Sequence, residues 1–479
     1  MTQDISRFRT TRRRALAGLL GTAALTKAGV AMARSSGRKP NFLFIMADDL
    51  GYGDLSCYGR REYQTPVLDR LAAEGVRFTN AYANSAVCTA TRVALITGRY
   101  QYRLDVGKEE PLGIRDVGLP PSQPTMPSLL RNLGYHTSLV GKWHMGSLPK
   151  YGPLKSGYDE FYGIRQGGVD YFTHQIFGHE DLWEGETLIE QEGYLTTLLA
   201  DRAIRVLEER AKASKPWLMS LHVTAPHWPW EGPDDVAESD RLSQKEGFAE
   251  ADYDGGDMAT YAKMVTYMDG QIGRVLDRLK ELGMDQDTVV VFTSDNGGER
   301  FSFNWPYTGV KTELLEGGLR IPAIVRWPGL ASPGSQSGQQ IMSMDWLPTF
   351  VAAAGGVPDP RSPSDGVDIR NAIAGRHLPE RPLFWKFKKH SQKAARLGKW
   401  KYLEIAGNSF LFDTDADPQE RANLKDRFPE IFTDLRDAWL AWDQSMPGYD
   451  PASATYGFTG DVMADHFGVE THPAPTFDD

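Results

Sequence analysis

The chain has only two cysteines, Cys57 and Cys88, in 479 residues. That scarcity excludes a scaffold built on disulfides and a cysteine-rich zinc module. Positive charge is also in deficit: 53 Lys and Arg stand against 63 Asp and Glu, a formal net charge of −10. Binding of nucleic acid through bulk charge is therefore not expected. No apolar run reaches the roughly 20 residues that a membrane-crossing helix needs, so an integral membrane protein is not expected either. Internal repeats and low-complexity tracts are lacking. What is present, 41% hydrophobic and 24% charged residues, is the composition of an ordinary globular protein. The length exceeds that of most single domains, which suggests a large domain carrying a smaller one.

Residues 1–33 read as a targeting segment. Arg12-Arg13-Arg14 precede an apolar run from Ala15 to Ala24, and Ala31-Met32-Ala33 supplies a small-x-small end. Consecutive arginines after Thr10-Thr11 favour a twin-arginine-type signal. The run is short and Lys27 follows it closely, so an anchor is the weaker reading. Removal would leave 47 basic against 62 acidic residues, a charge of −15. The expectation is a product exported by the twin-arginine machinery, periplasmic or secreted.

From about residue 40 to 350, short apolar runs alternate with amphipathic stretches. Asn41–Met46, Trp217–Val223 and Thr288–Thr293 read as strands, and Thr196–Ala213 and Tyr261–Leu282 as helices. Such alternation predicts a largely parallel sheet covered on both faces. Each strand run ends at polar residues: Asp48-Asp49, His227 after Pro226, and Asp295-Asn296. Open α/β sheets bind ligands at those ends. After residue 376, Arg396–Leu403 and Phe410–Phe412 read as short antiparallel strands and Phe428–Trp442 as a helix. The tail from Asp443 has no clear period. The expected division is thus 40–375 for the larger domain and 376–479 for an α+β C-terminal subdomain and tail.

Cys88 begins a helical pattern, Thr89–Thr97, that Gly98 would stop. Free N–H groups at a helix N-terminus favour an anion, and Arg92 lies one turn on, on the same face. An ester of sulfate or phosphate suits that combination; so does a plain buried cysteine acting as a small hydrophobe. Asp48, Asp49, Asp295 and Asn296 offer only oxygen ligands, which suit a hard divalent cation, calcium first and magnesium second; Asp48-Asp49 could equally cap a turn. Lys142 and His144, two apart in a strand-like run, are expected on one face. Lys311 is expected on a loop, and His227 in a Pro-rich one.

Taken in order, these segments resemble the type I, formylglycine-dependent sulfatases. Cys88-Thr-Ala-Thr-Arg92 with Thr97-Gly-Arg99 is similar to the family's modification motif. Phe44–Asp54, Gly141–Gly146, Phe292–Gly297, Gly309–Lys311 and Glu316–Pro322 resemble its other blocks in family order. The resemblance implies an alkaline-phosphatase-like α/β fold: a large mixed, mostly parallel sheet between helices with a smaller C-terminal subdomain. It implies that Cys88 is converted to formylglycine (3-oxoalanine) by a formylglycine-generating enzyme, and that Asp48, Asp49, Asp295, Asn296 and residue 88 hold one cation. Arg92, Lys142 and Lys311 would bind sulfate, His227 would protonate the leaving alcohol, and His144 would deprotonate the nucleophile's second hydroxyl. Ala90 replaces the family's more frequent Pro, and a Cys57–Cys88 disulfide would abolish the chemistry.

Gly167–His174 and Asn304–Pro306 resemble segments of the arylsulfatase B, N-acetylgalactosamine 4-sulfatase group. On that basis Asp170, His174, Trp228 and Trp305 are candidate substrate contacts, and the substrate is expected to be a sulfated carbohydrate or an aryl sulfate. Two other readings differ from this: a phosphoester or phosphonate ester hydrolase of the same superfamily, and a silent carbohydrate-binding protein with an intact thiol at Cys88.

Overall fold

Every residue of the strands Asn41–Ala47, Trp217–His222 and Thr288–Ser294 is buried. A strand covered on both faces has no solvent side, so its sequence runs apolar without alternation. The two faces of the first strand feed two cores. Leu43 and Ile45 point into one, with Leu199, Val206, Met264, Met268 and Ile272 of the helices Leu195–Ala211 and Met258–Glu281. Phe42, Phe44 and Met46 point into the other, with Val93, Leu130 and Phe350.

The computed structural model describes residues 39–108, 116–176, 178–244 and 255–449; the expected leader and the end of the tail lie outside them. The large sheet has 11 strands. Its centre is parallel, in the order Thr288–Ser294, Asn41–Ala47, Trp217–His222, His136–Gly141, Glu160–Gly163. Arg320–Arg326 joins antiparallel beside Thr288–Ser294, and Val76–Tyr82 antiparallel beside that. Parallel order brings the carboxyl ends of the central strands to one edge, and the candidate residues follow those ends.

The second sheet is a four-stranded antiparallel meander, Leu383–Phe387, Gln392–Leu397, Trp400–Ile405 and Asn408–Asp413, covered by the helix Pro429–Gln444. Two expectations need correcting. The run Arg396–Leu403 is not one strand but parts of two, because Gly398 turns the chain with φ +57°. The strand Leu383–Phe387 was not anticipated; all its residues are buried, so it shows no period-2 pattern. The small sheet packs beneath the Cys88 helix: Val87, Ala90 and Ala94 share a core with Leu383, Trp385, Tyr402 and Trp439. Among the described residues no helix is long and apolar enough to cross a membrane.

Candidate active site

Val87 is extended and the helix begins at Cys88, running to Thr97 with left-handed Gly98 as its stop. Thr91 Oγ1 bonds back to Ser85, accepting from its N–H at 3.0 Å and donating to its carbonyl at 3.1 Å. That fixes the turn by which the chain enters the helix. All ten helical residues are buried, and Cys88 Sγ lies 3.4 Å from His144 Nδ1.

Three carboxylates and three fixed cations surround this point. Arg92 Nη2 reaches Asp295 Oδ2 at 2.8 Å and Asp48 Oδ1 at 3.6 Å. Lys142 Nζ donates to Asp48 Oδ2 at 2.6 Å, and Lys311 Nζ to Asp49 Oδ2 at 2.8 Å. The Asp49 backbone N–H donates to Asp295 Oδ1, and Asn296 Nδ2 to Asp49 Oδ1 at 2.7 Å, so the two strand ends are tied together. Burial and the neighbouring Asp295 push the Asp48 carboxyl well up. Asp49 is also buried, but Lys311, His227 and Lys142 overcome that and hold it well below its usual range.

Burial, then the surrounding cations, push both His144 and His227 well down. His227 Nδ1 lies 2.6 Å from the Trp228 carbonyl, which can only accept, so Nδ1 carries the hydrogen. Its Nε2 then presents a lone pair to Lys311 Nζ at 3.4 Å.

The donor set fits a hard divalent cation. Asp48, Cys88 and Asp295 offer ligand atoms within 4.8 Å of one another, and so do Asp48, Asp49 and His227. Asp48 Oδ1 and Asn296 Oδ1 are buried and accept no hydrogen bond, the condition of oxygens suited to ligation.

Asp48, Asp49, Cys88, Arg92, Lys142, His144, His227, Asp295, Asn296 and Lys311 thus meet at one place. The expected reason for Lys142 and His144 was wrong, however. The strand ends at Gly141, and His144 has φ +54°; a bend, not strand alternation, brings both side chains in. Asp170 and His174 are buried and tied to the protein's own groups. Asp170 accepts from Phe172 N, Thr173 N and Ser239 Oγ, and His174 Nε2 bonds the Gly193 carbonyl at 3.0 Å. Trp228 lies beside the His227 ring, centroids 4.7 Å apart. Trp305 is 56% exposed, on a loop held by Asn304 bonds to Gly298 and Gly309. Cys57 is a free, half-buried thiol, not a partner of Cys88.

Two members were missed. Buried His222, the last residue of its strand, places Nδ1 3.3 Å from the Lys142 carbonyl and 3.5 Å from Arg92 Nη1. Glu299 lies 3.8 Å from Lys311 Nζ, and burial pushes it up to about 7. Its position in Asp295-Asn-Gly-Gly-Glu299, just beyond a site segment, was the available signal.

A family model described as Sulfatase matches residues 40–357. The chain is 30% identical to N-acetylgalactosamine-6-sulfatase of Homo sapiens, over 76% of this chain and 71% of that protein. It is 30% identical to arylsulfatase J of Mus musculus, over 83% and 74%. Among solved structures it is similar to Ps i-CgsB in complex with k-i-k-neocarrahexaose, with TM-score 0.78, 28% identity and coverage of 86% and 94%.

Proposed function

Since the chain belongs to the sulfatase family and is a sulfuric ester hydrolase, we propose that it removes sulfate from a sulfated sugar. In this reading Cys88 is oxidised to formylglycine and one calcium ion is held by Asp48, Asp49, Asp295, Asn296 and residue 88. The carrying observation is the Cys88 helix N-terminus, ringed by three carboxylates and three cations. A divalent ion added to Arg92, Lys142 and Lys311 suits the site to an anionic ester. When present, formylglycine supplies an oxygen nucleophile at position 88, and the cation favours its ionised form.

The remaining steps belong to this chain's own side chains. Cys88 Sγ stands where the oxidised residue's oxygen would be, so His144 Nδ1 is the atom placed to take up a proton there. Lys311 Nζ and His227 Nε2 share the proton that the leaving alcohol takes up. Lys142, Lys311 and Arg92 give a fixed positive field where sulfuryl charge develops. Trp228 and Trp305 are candidate walls for the sugar. An aryl sulfate would serve as an assay substrate. Maturation by a formylglycine-generating enzyme and twin-arginine export to the periplasm or beyond complete the proposal.

The test is the mass of the tryptic peptide Phe78–Arg92 from protein made with the modifying enzyme, alongside sulfate release from N-acetylgalactosamine 4-sulfate, N-acetylgalactosamine 6-sulfate and 4-nitrophenyl sulfate. The expected peptide has one oxygen in place of sulfur and two hydrogens, and chelation of calcium lowers turnover reversibly. An intact thiol in protein that still hydrolyses sulfate esters overturns the formylglycine reading. No release from any of the three overturns the proposed substrate class.

A further inference from the structure

Behind the two histidines lies a buried acid that the proposed chemistry does not use. Asp181 is 3% exposed. Its Oδ2 accepts from the backbone N–H groups of Arg165 at 3.0 Å and Gln166 at 2.7 Å, and its Oδ1 from Trp183 Nε1 at 2.8 Å. The nearby Arg165 guanidinium stacks on the Trp183 ring at 3.7 Å and donates to the Gly185 carbonyl. Burial pushes the Asp181 carboxyl up to about 7, so an acid is kept here at a cost.

The segment it holds forms the back wall of the site. Trp143 N donates to the Ile164 carbonyl at 2.9 Å and His144 N to the Arg165 carbonyl at 3.0 Å. The carbonyl of Arg165 and the N–H of Gln166 belong to one planar trans peptide and point in opposite directions. When Asp181 takes that N–H, the carbonyl is aimed at His144. His144 has the left-handed φ of +54°, outside any regular element that would fix it. Beyond the peptide, Gly167 and Gly168 face the rings directly. A Cβ at Gly167 would lie 2.8 Å from His144 Cε1, and one at Gly168 3.0 Å from His227 Cε1. The absence of side chains lets bare backbone pack on both imidazoles.

We propose that Asp181 is a positioning residue: through the Arg165–Gln166 peptide it sets His144 against residue 88, and through Gly167-Gly168 it backs both histidine rings. The proposal rests on the reading of His144 as part of the catalytic machinery. Asp181 touches no reacting atom, so its loss falls on turnover rather than on substrate affinity. Asp181→Ala removes both acceptor oxygens and with them all three hydrogen bonds. Asp181→Asn keeps an oxygen for the two strap N–H groups.

The test compares kcat and KM of Asp181→Ala and Asp181→Asn on 4-nitrophenyl sulfate, with thermal unfolding as a check on folding. A misplacement near 1 Å predicts a kcat loss on the order of 100-fold in the Ala variant, KM within about threefold, and recovery to within about fivefold in the Asn variant. A lower Tm with kcat unchanged, or equal loss in both variants, overturns the proposal. If the Ala variant does not fold, Gly167→Ala crowds the His144 ring with the Asp181 bonds intact, and the same kcat loss is expected; unchanged kcat there overturns it. Crystal structures of the unmodified Cys88 protein and the best-folding variant read the His144 Nδ1 to Cys88 Sγ distance without turnover. An unmoved His144 sinks the positioning role, whereas an inactive parent with a displaced variant His144 sinks only the sulfatase reading of the site.

Discussion

At the scale of single residues, Asp170 and Glu231 are the most instructive pair. In sequence, Asp170 is one polar residue in a loop near other candidate ligands. In the structure it faces Glu231, whose Oε2 accepts the Tyr171 N–H at 2.9 Å, and Tyr171 Oη donates to the His227 carbonyl at 2.9 Å. Burial and Asp170 push the Glu231 carboxyl up to about 10 from an ordinary 4.5. Side by side and buried, two carboxyls cannot both ionise easily. The folded pKa is raised, so the stability this group contributes is full below about pH 4.5. It is lost progressively as pH rises toward 10, because the unfolded chain ionises first. At pH 7 that loss is about 3 kcal/mol, at roughly 1.4 kcal/mol per unit. Glu231→Gln has the same shape, accepts the Tyr171 N–H, donates to Asp170 and does not ionise. Its Tm is expected to exceed the parent's at pH 7–9, with the gap closing toward pH 4–5. Thermal unfolding across that range checks it, and a gap that opens on the acid side instead contradicts the account of burial and Asp170 holding Glu231 protonated.

At the scale of elements, the ends of strands do the placing. Asp48-Asp49 and Asp295-Asn296 were legible because the buried parallel strands are mostly apolar and acidic residues follow just past their ends. Cys88 and Arg92 were legible because a helix start and a one-turn spacing are local properties. Lys142 and His144 were found for the wrong reason. The strand pattern continued on paper through Gly141-Lys142-Trp143-His144, whereas the chain bends at Gly141, where φ is +116°. His222 was missed because nothing local marks a strand's last residue as turned toward a cation, and Glu299, five past the strand end, because its place beyond a site segment was not used. The bonds that hold Asp170 and His174 were not legible, because sequence does not show which way a loop side chain turns. The bend at Gly141 is itself testable. A Cβ there would lie 1.9 Å from the His222 carbonyl oxygen of the adjoining strand. Gly141→Ala must part those strands or shift the bend that delivers Lys142 and His144. A destabilisation above about 3 kcal/mol is expected, together with loss of activity in whatever folds. A variant with the parent's denaturation midpoint would show that the close approach relaxes freely.

At the scale of the whole molecule, the question is why the small C-terminal sheet moves with the site rather than hanging beside it. The apolar contact beneath the Cys88 helix is one part of the answer, and Glu316 is the other. Its Oε2 accepts from Tyr82 Oη at 2.7 Å and Arg320 Nε at 2.8 Å, both from the large sheet, and from Arg396 Nη1 at 2.9 Å, from the small one. Lys401 of the small sheet lies 3.1 Å from its Oε1 and 2.9 Å from Glu420 Oε1, and Glu420 Oε2 accepts the Glu316 backbone N–H. The neighbouring Gly317 and Gly318 pack against Gly297, next to Asn296, and a Cβ on Gly297 would lie 1.9 Å from the Gly317 carbonyl oxygen. One buried carboxylate therefore neutralises cations from both sheets, beside the glycines that pack against the segment carrying Asp295 and Asn296. Burial works against it, but Lys401, Arg396 and Arg320 hold its pKa well below the usual range. Glu316→Ala strands Arg320, Arg396 and Lys401 with too little negative charge between them. Breaking a buried network from one side costs about 3–5 kcal/mol, far more than an exposed pair would. Calorimetry should show one transition in the parent. In the variant a lower transition should appear at which the small sheet and its covering helix, with Trp385, Trp400 and Trp439, loosen first. If both sheets still melt together at the parent's temperature, the apolar contact alone joins them, and Glu316 is a local charge balance without reach to the site.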